Sequence, residues 1–394
     1  MENLIIFLLF FLIFETFLIV TIRILKKDFK WLLNSEDEFP NFSKKRLNKF
    51  YKESYDPIIG WDRKKNKTGF ELGEKKTFFQ ISKKGYRGRS KYKKTLISVF
   101  GDSFAFCRYV NDNETWESYL ENKLKFNIHN YGVGNFGLDQ SFLKFLKYKK
   151  NIKSKIIIFN VVPETIARIN SYWKHYREFG NIFGFKPIYK LKKNKLILKK
   201  ILLKKNFTEK QIYRIIPEIK KSDTFYKSKF LKYKFTFPYS FVFLKNLKYF
   251  SNIIGNLLIA KITNDKNYLN NAISVVLKEN IKDSHRMYNN PYYFEKLKKM
   301  IFHLNNDLKK KKIHMILVIS PQLLDLTEGN YDNVSRFYKQ IGKKIFCLDL
   351  YNKIKDKKFK KYYFKDIYGG HFNKLGNKFI SKILFDYFKN KRII

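Results

Sequence analysis

The run Lys155-Ile-Ile-Ile-Phe-Asn-Val-Val162 is apolar on both of the faces a strand presents. A half-buried strand alternates polar with apolar. A strand covered on both sides does not, so this run asks for a parallel sheet with helices above and below it. Similar runs occupy 96–100, 313–320 ("IHMILVIS") and 344–350 ("KIFCLDL"), with a shorter one at Ile128–Tyr131. Between them the apolar residues take helical spacing. One helix is predicted over Glu114–Leu124, with Trp116, Leu120 and Leu124 on one face and Asn113 as its cap. Others are predicted over Asp139–Tyr148, 292–309, 330–340 and Lys374–Lys389. The last gathers Ile380, Ile383, Leu384 and Tyr387 on one face and is capped by Asn373. Strand alternating with helix predicts an α/β sandwich on a mainly parallel sheet.

Residues 4–22, "LIIFLLFFLIFETFLIVTI", hold a single charge, Glu15. Some 20 residues at about 1.5 Å each cross a ~30 Å hydrocarbon core, so this stretch is expected to be an uncleaved transmembrane anchor over 1–24 that sets the chain in a lipid bilayer. Neither a basic leader nor a small-residue cleavage site accompanies it. Glu15 costs roughly 2–3 kcal/mol there unless it is paired. Arg23, Lys26, Lys27 and Lys30 follow the span and only Glu2 precedes it, which by the positive-inside rule favours the cytoplasmic side for the body, while lysine spread through the whole chain leaves both orientations open. Residues 25–95 read as a stem, with a turn around Trp61 in "YDPIIGWDRKKN". Residues 96–180 and 286–394 read as the two halves of the α/β domain. The Lys-rich stretch 181–285, poor in glycine and in strong strands, reads as a helical insertion.

The chain carries 82 Lys and Arg against 34 Asp and Glu, formally +48. A nucleic-acid binder needs its cations in a localised patch. Here lysine is spread throughout, alongside abundant Asn, Ile, Phe and Tyr, so the charge reads as compositional bias and nucleic acid is not the expected partner. Anionic glycans and lipid headgroups remain compatible with it. Two cysteines, Cys107 and Cys347, make neither a disulfide framework nor a metal cluster.

The strand at 96–100 stops at Gly101-Asp102-Ser103. Ligands of open α/β sheets collect at the carboxyl ends of strands, so Ser103 is exposed where chemistry is expected. A serine hydroxyl becomes a nucleophile only beside a base. Of six histidines, His129, His285, His303 and His314 fall in or beside predicted elements. His175 follows Trp173 and precedes Arg177 at the entry to the insertion, a group that reads as substrate-facing. His371, in "DIYGGHFNKLGNKFI", sits on a loop between the last strand and the last helix and is the candidate base.

"FGDSFAF", "NYGVGNFGLDQ" some thirty residues later, and "GGHFNKLGN" resemble blocks I, II and V of the SGNH/GDSL hydrolase family. The resemblance covers roughly 96–165 and 312–390, and the "YDPIIGW" stem is similar to that of some bacterial members. It implies a flavodoxin-like three-layer sandwich in which Ser103 attacks an ester carbonyl and His371 acts as general base, then acid. Asp102 takes the place of the block I acid and, with Trp173, His175 and Arg177, is expected to face the substrate. The implied oxyanion hole uses the Ser103 N–H and a backbone N–H of block II, where Asn135 stands at the position often held by glycine and Gly134 is beside it. The block III asparagine is displaced. Pro163-Glu164 occupy its place, and Asn160, Thr165 or Arg168 is left to supply a side-chain donor. Tyr368 stands three residues before the histidine where an aspartate is usual, and Asp366 is the nearest acid. Neither a metal nor an organic cofactor is implied.

The expectation is a membrane-anchored serine esterase or O-acyltransferase of SGNH type. Its expected substrate is an O-acylated carbohydrate, a surface polysaccharide or its lipid-linked precursor. An inactive carbohydrate-binding or scaffold protein on the same fold, and a basic membrane-surface or nucleic-acid binder, are the competing classes.

Overall fold

Five of the apolar runs form one parallel sheet in the computed structural model, which describes residues 1–29, 32–33, 39–178, 180–356, 358–365 and 370–393. The strands are β1 (Thr95–Gly101), β2 (Asn127–Asn130), β3 (Ile156–Val161), β4 (His314–Ile319) and β5 (Phe346–Asp349), in the spatial order β2-β1-β3-β4-β5. This is the doubly wound order whose direction of winding reverses between β1 and β3. Val99 lies beside Ile158, and Ile158 beside Ile316.

Alternate residues of each strand feed two apolar layers. Ile97, Val99, Ile156, Ile158, Ile316 and Val318 face one side, where Trp116 and Leu120 of α1 (Trp116–Leu124) meet Ile380, Leu384 and Phe388 of α5 (Lys374–Asn390). Phe100 and Phe159 face the other, under Phe145 of α2 (Leu138–Tyr148). α3 (Pro291–Lys309) packs on β4, and α4 (Asp332–Gly342) on β5. Each fully buried aromatic stabilises such a layer by about 2–3 kcal/mol. The chain therefore has an α/β fold with a parallel sheet between helices.

The sheet belongs to a compact unit of residues 51–170, 186–201 and 281–394; residues 1–50, 171–185 and 202–280 form a second. Residues 51–95 thus join the sheet unit, rather than standing apart as a stem. An antiparallel ladder of Lys67–Leu72 with Lys76–Ile81 accounts for part of that stretch. The stretch read as a helical insertion also contains a hairpin, Ile188–Lys192 with Lys195–Lys199. Its turn residues Lys193 and Asn194 both have positive φ, as a two-residue hairpin turn requires. Thr115, not Asn113, caps α1: its hydroxyl accepts the Ser118 N–H.

The second unit contains a helix of 28 residues, Glu2–Phe29, the one described helix long and apolar enough to cross a membrane. The longer helices Glu209–Ser222 and Leu247–Thr263 belong to the same unit.

Candidate active site

Ser103 opens a single helical turn, Ser103–Phe106, directly after β1. Gly101 permits this by its lack of a side chain. A Cβ there would lie 2.0 Å from the Asn160 carbonyl oxygen on β3 and 2.7 Å from Ala105 Cβ. Its φ is not among the positive ones, so close strand approach, not an unusual backbone angle, selects glycine here.

Asp102 holds the turn from beneath. Oδ1 accepts the Phe104 N–H at 2.9 Å, and Oδ2 accepts the Val162 N–H at 3.0 Å and the Arg168 guanidinium at 3.4 Å. The carboxyl is buried, and burial pushes its pKa up against the opposing charge of Arg168. Asp102 is therefore not placed to bind substrate, since both oxygens are engaged within the fold. Arg168 joins three loops at the switch point: it donates to Asp102, to the Phe136 carbonyl at 3.2 Å and to Glu164 at 2.7 Å.

His371 arrives from the other end of the domain. Its Nε2 lies 2.9 Å from Ser103 Oγ, with Ser103 7% and His371 4% exposed. The imidazole lies over Phe104, at 5.0 Å between ring centroids, and edge-on to Tyr109 at 5.6 Å. Gly370 turns the chain into this position at φ +80°, and a Cβ there would lie 2.4 Å from Leu323 Cβ. Asn373 caps α5 through the Gly376 N–H and donates to the Lys361 carbonyl, which ties the loop down behind the histidine. Asp366, together with Tyr368 and Gly369, lies outside the described residues.

The second block is laid along the end of β1. Tyr131 N–H donates to Val99 and Val133 N–H to Gly101, while Asn130 donates to the Ala105 carbonyl. Gly134 and Asn135 are half-buried on this loop. Asn135 takes φ +71°, a conformation asparagine adopts more readily than most residues. Trp61 Nε1 donates to the Gly134 carbonyl at 3.2 Å, and its ring packs edge-on to Phe136. The "DQ" of the block is structural. Asp139 pairs with Lys186, and Gln140 donates to the Ile59 carbonyl at 2.8 Å.

Asn160, the last residue but one of β3, lies opposite Gly101, and its Oδ1 accepts the Ser320 hydroxyl at 2.7 Å. Thr165 accepts the Leu138 N–H. Trp173, His175 and Arg177 belong to the other unit and are buried in it, a correction to their substrate-facing reading. Trp173 stacks on Phe185 and donates to Ile182, His175 accepts the Gly180 N–H, and Arg177 meets Glu178 and the Asn280 carbonyl. Arg168 as the joining cation, Tyr109 against the imidazole and Trp61 on the block II loop were not legible as such. The signal in each case was a lone aromatic or cation beside a turn.

A second serine meets a histidine in the same unit. Ser90 Oγ lies 3.1 Å from His129 Nε2, which also faces Thr95 at the amino end of β1. Burial, with Lys84 nearby, lowers the His129 pKa to about 4, which makes it a poor base. Ser90 is exposed and away from the carboxyl edge. Position at the carboxyl edge of the sheet singles out Ser103 and His371.

No family model matches this sequence, and no curated protein matches it. Among solved structures the chain is similar to a protein of Desulfitobacterium hafniense DCB-2 assigned as lipolytic and to the G-D-S-L family. The identity is 12% and the TM-score 0.34, over 74% of this chain and 99% of that one. A likeness of that size leaves the site to be read from its own geometry.

Proposed function

We propose that the chain is a serine esterase or O-acyltransferase of SGNH type, held at a membrane by its N-terminal helix. The observation that carries the reading is the 2.9 Å contact between Ser103 Oγ and His371 Nε2 at the carboxyl edge of β1, at the switch point of the sheet. With Nε2 unprotonated, the hydroxyl donates to it. As Oγ attacks an acyl carbonyl, the proton passes to His371 and the carbonyl π bond opens to an oxyanion. The Ser103 N–H, which has no intrahelical acceptor at the first position of its turn, and an N–H of the Gly134–Asn135 loop are the proposed donors to that oxygen. Collapse of the adduct breaks the ester C–O bond, and the leaving alcohol takes the proton from His371. Water or a sugar hydroxyl then repeats the sequence on the acyl-enzyme. Asp366 is the proposed acid behind His371, and Asn160 a supporting polar group at the hole.

For the substrate we favour an O-acylated carbohydrate. The support is the family resemblance, together with an apolar helix that would keep the site close to a lipid-linked carbohydrate at the bilayer. The test is labelling of the full chain in detergent by a fluorophosphonate, with Ser103→Ala and His371→Ala beside it. The expected result is labelling of the parent that both substitutions abolish. A folded parent that does not label supports the inactive carbohydrate-binding class instead.

A further inference from the structure

We propose that residues 237–244 form a second membrane-seated element, immersed in the acyl chains of the same leaflet that receives the end of the N-terminal helix. This rests on that helix crossing a bilayer.

The N-terminal helix is exposed on nearly all sides over residues 4–13. From Glu15 on, one face is covered: Glu15, Leu18, Ile22 and Leu25 are buried at helical spacing. The short helix Tyr239–Lys245 and the longer Leu247–Thr263 pack along it. A carboxylate inside a span is costly unless its oxygens are satisfied. Glu15 is 3% exposed, and its two oxygens accept the backbone N–H groups of Tyr239 and, at 2.8 Å, Ser240. Phe14 packs edge-on to Phe243 beside them.

These contacts fix depth. Glu15 lies seven residues before Ile22, the end of the apolar stretch, so about 10 Å inside the hydrocarbon boundary at the usual helical rise. Lys261 meets Asp28 at 2.5 Å, some six residues past that boundary, or about 9 Å outside it. The chain from 239 to 261 therefore climbs from within the span to the headgroups. The residues at its deep end turn apolar groups outward: Phe237 is 75% exposed, Phe241 66% and Leu244 59%, with Leu247 also exposed. An outward cluster of this kind signals an interaction surface.

The sequence fits one occupant. Residues 235–244, "FTFPYSFVFL", carry no charge and are too short to cross a bilayer. Lys232 and Lys234 stand before them, and Lys245 and Lys248 after. Lysines flanking an apolar segment extend toward anionic headgroups while their stems stay in the apolar zone. Acyl chains below and anionic headgroups above complement both features.

The test places a nitroxide on the full chain in vesicles of phosphatidylethanolamine and phosphatidylglycerol. The background is Cys107→Ser with Cys347→Ser, and the label sites are Leu9→Cys, Phe241→Cys, Leu244→Cys and the exposed loop position Lys93→Cys. Collision with oxygen and with a nickel chelate is read at each. The proposal expects Leu9, Phe241 and Leu244 to favour oxygen and Lys93 to favour nickel. Nickel access at 241 and 244 with Leu9 still shielded overturns the proposal and leaves the anchor standing. Nickel access at all three overturns the anchor and the proposal together. Shielding of 241 and 244 from both agents means a protein surface, such as a second copy, covers them, and overturns the lipid assignment. In Glu15→Ala, nickel access at Phe241 is expected to rise several-fold with Leu9 unchanged; no rise overturns the role of Glu15 in holding the element at depth.

Discussion

Replacing Arg168 with alanine leaves Asp102 buried with its counter-charge removed, and separates the loops after β1, β2 and β3 that one guanidinium now joins. Breaking a buried pair on one side costs about 3 kcal/mol or more. Arg168→Ala is expected to lower the denaturation midpoint accordingly and to slow fluorophosphonate labelling. Arg168→Lys is expected to rescue little, because one ammonium nitrogen cannot replace the two guanidinium nitrogens that reach Asp102, the Phe136 carbonyl and Glu164. A second residue-level expectation concerns pH. Glu117 is buried and accepts the Cys107 thiol at 3.1 Å, and burial raises its pKa from 4.5 to about 8. The folded state then holds a proton that the unfolded state has released, so stability falls as pH rises from about 4.5 to about 8. Glu117→Gln lacks that titration. Its melting temperature is expected to gain on the parent between pH 5 and pH 8.5, and a constant difference across that range would contradict the assignment.

At the scale of elements, the loop and helix that deliver His371 make separable predictions. Gly370→Ala forces a left-handed residue with a Cβ against Leu323, a strain of about 1–2 kcal/mol. Because the strain falls next to the imidazole, labelling is expected to slow more than tenfold, well beyond the stability loss. Asn373→Ala removes a helix cap worth about 1 kcal/mol together with the tie to the Lys361 carbonyl, so melting is expected to fall and labelling to slow by less than in Gly370→Ala. Parent-rate labelling of Gly370→Ala would show that the loop does not position the base. The elements of the sheet were legible because a strand buried on both faces leaves an unbroken apolar run, and the helices between carry one apolar stripe. The hairpin at 188–199 was not, because lysines alternating along an exposed ladder look like the lysine of the rest of the chain. Trp173, His175 and Arg177 look like a binding cluster in sequence, since nothing local reveals that Glu178, main-chain carbonyls and the Gly180 N–H engage them in a core. Ser103 and His371 were legible through the turn and cap that each carries, while Arg168 needed the three loops in space.

For the whole molecule, the +48 charge extends even into buried positions. Lys144 pairs with Asp62 at 2.7 Å, Lys186 with Asp139, and Lys296 donates to the Ile169 carbonyl at 3.0 Å. Lysine that is accommodated wherever an acceptor exists fits a biased composition better than a designed cationic face. The charges after residue 22 predict the body on the cytoplasmic side. Protease added to sealed inside-out vesicles is expected to digest it, and protection there would reverse the orientation.

The Ser103–His371 hydrogen bond spans 268 positions of the chain. During synthesis the serine emerges with β1, yet its base cannot reach it until more than two hundred further residues are made and α5 has docked on α1. On the proposed chemistry the nascent chain would be quiet for nearly all of its time on the ribosome, and a reactive serine would arise only when the first and last parts of the sheet unit close on each other.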